Sequence, residues 1–437
     1  MTYQLGIDLG TTFATAALAR ADRVEPLYLG HRTMVVPSVL YLPEGDDDVV
    51  VGDAANRRGL IDPARVAREF KRRLGDPAPI LLGGSPFSAE QLTARLLRWI
   101  VSQAAAQEAG PPSALALTHP ANWRQYKLEV FHQVVVLAGL ADALFVAEPV
   151  AAAVHYAASE RIAPGAIVAV YDLGGGTFDA AVLRRTETGF EVLGTPEGIE
   201  HLGGIDFDAA VLAHVDRQLD GAFSALDPTD PGSLGAAIRL RADCVEAKEL
   251  LSADTRVDIP VLLPNKHANV RLTRSEFETL IRPPLAETVE ALRRSLTSAA
   301  VRPEDLDRIL LVGGSSRIPL VAELLSAGLG RPVAVDAHPK AVVALGAARF
   351  AMASQRPSSA TQQRVRIVEP SSERIDDEAT PFAPAEAEEA SPPPLKEVEH
   401  FSLSPADGRG LTTGQQLLLL LVAVAVVAIV ALLYAFN

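Results

Sequence analysis

Over the first 350 or so positions, apolar residues gather into short runs closed by glycine, the pattern of an α/β protein. Residues 3–9 and 13–18 read as two strands joined across Gly10-Thr11-Thr12. Residues 166–173 and 178–183 repeat the scheme around Gly174-Gly175-Gly176-Thr177. The same dipeptide precedes both turns, Asp8-Leu9 in one and Asp172-Leu173 in the other, which predicts an internal duplication with one turn per lobe. A third turn, Gly313-Gly314-Ser315-Ser316, follows the apolar run 309–312 and precedes a helix starting near Pro319. Small residues stand at Ala151-Ala152-Ala153, behind Pro149, and at Gly346-Ala347-Ala348. Two helices bearing them could cross closely and shear with little repacking.

The pattern changes after residue 350. Positions 351–410 carry 8 of the 31 prolines and 11 acidic residues against 6 basic ones, a composition that predicts a solvated, extended linker over 351–413. The next run, 417–436, opens on Leu417, closes on Phe436 and holds no charge. As a helix it would reach ~30 Å, the thickness of a bilayer's hydrocarbon core. A single-pass C-terminal membrane anchor at 414–437 is therefore expected. The chain opens directly into a strand, with no charged-then-apolar leader, so the body is expected in the cytoplasm.

Length and charge narrow the chemistry. The 437 residues allow two or three domains at ~100–200 residues each. A net charge of −14 and 5% aromatics exclude a basic, stacking surface for nucleic acid. The single cysteine, Cys244, excludes an intrachain disulfide, and it falls in the helical run 240–251, where it reads as a small buried apolar residue. Nine histidines lie scattered without metal-binding spacing, and no G-x-x-x-x-G-K-[ST] loop occurs.

What remains is the repeated turn. Glycine lets backbone N–H groups approach an anion with no Cβ in the way, and threonine hydroxyls add donors. Asp8 and Asp172 would repel phosphate unless a cation intervened, and magnesium, bound by carboxylates, waters and phosphate oxygens, is the natural intermediary. One such turn is simply a hairpin. Two with the same lead-in, facing across a cleft, make a magnesium–nucleotide site.

The motifs Gly6-Ile7-Asp8-Leu9-Gly10-Thr11-Thr12, Asp172-Leu173-Gly174-Gly175-Gly176-Thr177-Phe178-Asp179 and His201-Leu202-Gly203-Gly204-Ile205-Asp206-Phe207-Asp208 resemble the nucleotide-binding domain of the 70-kDa heat-shock chaperones. Glu148-Pro149-Val150-Ala151 and Val312-Gly313-Gly314-Ser315-Ser316-Arg317-Ile318-Pro319 match as well, in family order. The resemblance implies the actin-like ATPase fold, with two ribonuclease-H-like α/β lobes, about 1–162 and 163–350, closing on ATP or ADP with Mg2+, and K+ as a further candidate ion. It assigns the phosphates to Gly10, Thr11, Thr12, Phe13, Gly174, Gly175, Gly176 and Thr177, with Gly203 and Gly204 beside them. Asp8, Asp172 and Asp179 would serve the metal. Lys71 would contact the γ-phosphate, and Glu148, with Asp172 and Thr177, would order the attacking water. Lys248, Ser252 and Arg317 would hold the adenosine, and Gly313, Gly314 and Ser315 of the third turn would help bind the nucleotide. A protein partner or cochaperone is implied too.

The chain departs from the family in two places. The linker and expected anchor occupy the space of the peptide-binding domain. On the base side, Val245 stands where the family usually has an acid, Glu249 where it has a base-stacking arginine, and Lys340 follows Pro339 in place of acidic residues. Weaker or less base-selective nucleotide binding is expected. The function expected is a membrane-anchored ATPase switch that regulates or docks a partner. The alternatives are a scaffold that binds nucleotide without turnover and an actin-like filament protein at the membrane.

Overall fold

The strand Gln4–Leu9 is buried nearly throughout, since it lies at the centre of a sheet covered on both faces. This computed structural model describes residues 2–355, apart from Asp22, His31, Arg32, Asp46, Asp47, Glu160, Arg161 and Ala337. On one side Gln4–Leu9 pairs in parallel with Ala114–His119, which pairs in parallel with Leu144–Ala147. On the other side it pairs antiparallel with Phe13–Arg20, and that strand with Arg23–Pro26.

The second sheet repeats this order. Ile167–Leu173 is central, with Leu306–Val312 and then Val333–Val335 parallel on one side. Phe178–Arg185 and then Phe190–Ile199 lie antiparallel on the other. The duplication expected from the two Asp-Leu turns is thus present as two sheets of matching strand order and direction. The five strands read from the sequence, 3–9, 13–18, 166–173, 178–183 and 309–312, fall within a few residues of their observed bounds.

Each sheet has its own apolar core. Leu5, Ile7, Leu97 and Phe131 belong to the first, and Phe207, Leu240, Ile281 and Leu292 to the second. The helix Ala89–Glu108 covers the first sheet and begins with a capping box: Ser88 Oγ accepts from the Gln91 amide at 3.1 Å while Gln91 Oε1 accepts from the Ser88 amide at 3.0 Å. The second lobe adds the helices Gly204–Gln218, Pro231–Leu250 and Arg274–Ser298 and the hairpin of Arg256–Leu263, whose residues alternate exposed and buried, with Lys266–Thr273.

The lobes meet where the helices Glu148–Ser159 and Val342–Ser354 cross. A Cβ on Gly346 would stand 1.7 Å from the Ala151 carbonyl oxygen, so only glycine fits the crossing. Ala151, Ala152 and Ala153 share a buried cluster there with Val168 and Leu310 of one sheet and Ala116 of the other. Gly6 plays the same part against the first sheet, since a Cβ there would meet the Ala348 amide nitrogen at 2.1 Å. The second of these helices runs to Ser354, so the boundary expected at residue 350 falls inside it. The rest of the expected linker and the expected span at 417–436 lie outside the described residues. Among the described residues no helix is long and apolar enough to cross a membrane.

Candidate functional site: the cleft between the lobes

Strand register builds the site. Asp8 stands near the end of Gln4–Leu9 opposite Thr15, and Asp172 near the end of Ile167–Leu173 opposite Asp179. Val312 lies on the other side of Asp172, so the third glycine turn starts next to the second. Three turns from two lobes therefore open on one cleft, with a cavity volume of about 440 Å³.

The turns are tightly tied. In the first, Ser38 donates its amide to the Thr12 carbonyl and its hydroxyl to the Gly10 carbonyl, both at 2.8 Å. In the second, the amides of Gly204 and Ile205, opening the helix Gly204–Gln218, engage the carbonyls of Gly174 and Gly175 at 3.1 and 2.7 Å. Gly203 packs against this loop, and a Cβ there would stand 2.6 Å from the Gly176 nitrogen. Ser315 Oγ donates to the Gly174 carbonyl at 2.8 Å, which joins the third turn to the second.

Between the turns lies a buried charge cluster. Lys71 Nζ is 3.2 Å from Glu148 Oε1, and both side chains are nearly enclosed. Asp8 accepts from Thr118 Oγ1 at 2.9 Å, and Asp179 from Asn122 Nδ2 at 3.0 Å. Burial, then the Glu148 charge, pushes Asp8 up to about 6 despite Lys71 and Thr118. Burial and neighbouring carboxylates hold Asp172 and Asp179 well above the usual carboxylate range. Burial opposes the Lys71 charge, but Glu148, Asp8 and Asp179 outweigh it and raise its pKa. One ammonium thus faces four carboxylates, a balance a divalent cation would correct.

The residues fit such a group. Thr12 Oγ1 is buried in the cleft wall with no hydrogen-bond partner, and a Cβ on Gly175 would stand 2.6 Å from it. Among the described residues no three carboxylate, histidine or cysteine groups converge as direct metal ligands. The carboxylates therefore suit a hydrated ion gripped through its waters, as Mg2+ commonly is.

The cleft gathers Asp8, Gly10, Thr11, Thr12, Phe13, Lys71, Glu148, Asp172, Gly174, Gly175, Gly176, Thr177, Asp179, Gly204, Lys248, Ser252, Gly313, Gly314 and Ser315. Two expected residues stand apart from its lining. Gly203 supports the loop from behind, and Arg317 is exposed. Other residues reached the site unannounced. Arg72 Nη2 crosses to the Gly176 carbonyl at 2.5 Å, while its buried Nε has no partner. Trp123 lies under Lys71, with Nζ 5.5 Å from the ring centroid. Lys248, an expected residue, bonds the Gly204 carbonyl at 3.1 Å and Asp208 at 2.8 Å. Arg72 adjoins Lys71 in sequence, the one signal that could have found it.

Residues 78–376 match the family model described as Hsp70 protein. The chain belongs to the Hsp70 family. It is 34% identical over 366 residues to a chaperone protein HscA homolog of Pseudomonas putida, covering 79% of this chain and 56% of that protein. It is 30% identical over 354 residues to the chaperone protein DnaK of Thermotoga petrophila and of Thermotoga maritima, covering 79% of this chain and 58% of each. The chain thus spans little more than half the length of these relatives. Its mixed α/β architecture agrees with the actin-like fold that family membership implies.

Proposed function

We propose that the chain binds a magnesium nucleoside triphosphate between its lobes and hydrolyses it to switch between two lobe arrangements. ATP is the nucleotide that membership of the Hsp70 family implies. The observation that carries this reading is the buried Lys71–Glu148 pair set among Asp8, Asp172 and Asp179, with three glycine turns around it. Phosphoryl transfer to water needs positioning and charge neutralisation rather than a covalent intermediate. In this reading Lys71 and the turn amides hold the terminal phosphates, Asp8 and Asp172 hold the hydrated cation, and Glu148 orients the attacking water. Bound magnesium would neutralise charge on the phosphates.

The body then acts at a membrane, on the cytoplasmic side, through an anchor at 417–436, and its lobe state regulates or docks a protein partner or cochaperone. Support for the anchor is the uncharged 417–436 run alone. Titration calorimetry of the full chain with ATP, with and without Mg2+, tests the site. Magnesium-dependent binding that Asp172→Ala removes supports it, and no binding at millimolar nucleotide overturns it. Phosphate release by the wild type, lost in Lys71→Ala, separates a switch from a scaffold that binds without turnover. Recovery in the membrane fraction, lost on deleting 414–437, tests the anchor.

A further inference from the structure

The turn from Gly174 to Thr177 is held largely from within its own lobe. The Gly174 and Gly175 carbonyls take bonds from the amides of Gly204 and Ile205, and the Thr177 carbonyl takes one from the Gly174 amide at 3.0 Å. The Gly176 carbonyl is the exception: among the described residues its donor is Arg72 Nη2, 2.5 Å away on the opposite lobe. The contact is closely fitted, since a Cβ on Gly176 would run into that nitrogen.

Arg72 is braced for this reach. It sits on the 3-10 turn Phe70–Arg73, which the buried Phe70 ring anchors, and its Nη1 is 2.9 Å from Glu69 Oε2. Its side chain is only 21% exposed. On the same turn Lys71 pairs with Glu148. One short turn therefore sets an ammonium in the first lobe's charge cluster and a guanidinium against the second lobe's phosphate loop. A second strut crosses beside it. Asn122 donates to Asp179 Oδ1 at 3.0 Å, and a Cβ on Gly198 would run into Asn122 Nδ2. Gly176 and Asp179 stand on either side of Thr177, so both struts hold the segment that carries it.

The groups that would order the attacking water come from both lobes, Lys71 and Glu148 from one, Asp172 and Thr177 from the other. Bonds inside the second lobe shape its loop but leave its distance from Glu148 open. We propose that Arg72 is a positioning residue for the hydrolysis, holding this loop in register with Lys71 and Glu148 across the cleft, with Asn122 as a lesser, more exposed support. The inference rests on the hydrolysis reading above and adds how its two halves are aligned. Loss of one charge-assisted hydrogen bond should slow the transfer by about tenfold or more. Binding by the turn's own amides survives, so the loss falls on kcat rather than on KM. Lysine at position 72 offers one head in place of a fork and reaches Gly176 or Glu69, not both, so it should restore only part of the rate.

The test reads lobe separation and turnover on the full chain. Spin labels at Ile61→Cys and Leu262→Cys, both exposed and one in each lobe, report the separation by pulsed electron resonance, while the buried Cys244 stays unlabelled. Without ligand, Arg72→Ala should lengthen or broaden that distance, Asn122→Ala should do so less, and Arg72→Lys should keep much of the native value. With magnesium and ATP, Arg72→Ala should lose about tenfold or more in kcat with KM within about threefold of the wild type. A separation unmoved by Arg72→Ala, or a raised KM at unchanged kcat, overturns the positioning role. Should Arg72→Ala fail to fold, Arg72→Lys decides alone: wild-type separation together with wild-type kcat overturns the role. A wild type that releases no phosphate overturns the hydrolysis reading and this role in it, whereas the ligand-free separation still tells whether Arg72 holds the lobes.

Discussion

Replacing Lys71 by Met removes the one ammonium from the buried carboxylate cluster, and the cost should depend strongly on pH. At 3.2 Å from Glu148, with an effective dielectric near 20, the attraction is about 5 kcal/mol. Orphaning a buried charge costs about 3–5 kcal/mol when nothing replaces its partner. Here a proton can replace it. Asp8 sits at about 6, so protonating it at pH 7.5 costs about 2 kcal/mol, and less once Lys71 no longer lowers its pKa. The loss of stability in Lys71→Met should therefore be about 2 kcal/mol at pH 7.5 and close to nil at pH 5.5. Lys71 itself, raised above its ordinary 10.5, stays charged throughout that range, so only the carboxylates change. Urea unfolding followed by tryptophan fluorescence reads this directly, because Trp123 lies under the Lys71 ammonium and Trp99 is the only other tryptophan. An equal loss at both pH values would refute the proton-replacement argument.

Further outcomes follow from the same structure. The ligand-free protein should lose stability as pH rises from about 4 to 6: folded Asp8 has the higher pKa, so the folded state holds more protons and rising pH favours unfolding, by about 3 kcal/mol from Asp8 alone. Melts across that range, without magnesium or nucleotide, check it. Gly346→Ala should cost at least about 3 kcal/mol, since its Cβ cannot coexist with the Ala151 carbonyl without parting the helices, and denaturant titration measures the loss. Tyr171→Phe should cost about 1 kcal/mol, because the Thr288 hydroxyl keeps its bond to the Leu285 carbonyl when the 2.5 Å bond from Tyr171 is lost. Burial pushes the Cys244 thiol up to about 12, so iodoacetamide should label the native protein far more slowly than the urea-unfolded one.

Much of this architecture was legible in the sequence because it is local. The Asp-Leu-Gly turns, the strands beside them and the small residues at 151–153 and 346–348 each lie within one short segment, where spacing alone carries the signal. The partners of those segments were not legible. Thr118 reaches Asp8 through a parallel pairing, and Asn122 reaches Asp179 across the cleft, in neither case from neighbouring sequence. Glu249 and Lys340 stood out singly as departures from the family, yet their opposite charges gained meaning only when folding set them 3.4 Å apart. Arg317 shows the converse: its motif was plain, but at the end of the 3-10 turn Gly314–Arg317 it is exposed, while Ser315 and Ile318 on either side line the cavity.

The glycine crossing also makes a lever. The helix Val342–Ser354 starts beside Lys340 at the cleft and is pinned at Gly346 against the Ala151 backbone. At 1.5 Å per residue, its arm toward the cleft is about 6 Å and its arm toward Ser354 about 12 Å. A tilt about this fulcrum moves the far end roughly twice as far as the near one, and in the opposite sense. A small displacement of the helix start beside the cleft would thus be enlarged at Ser354.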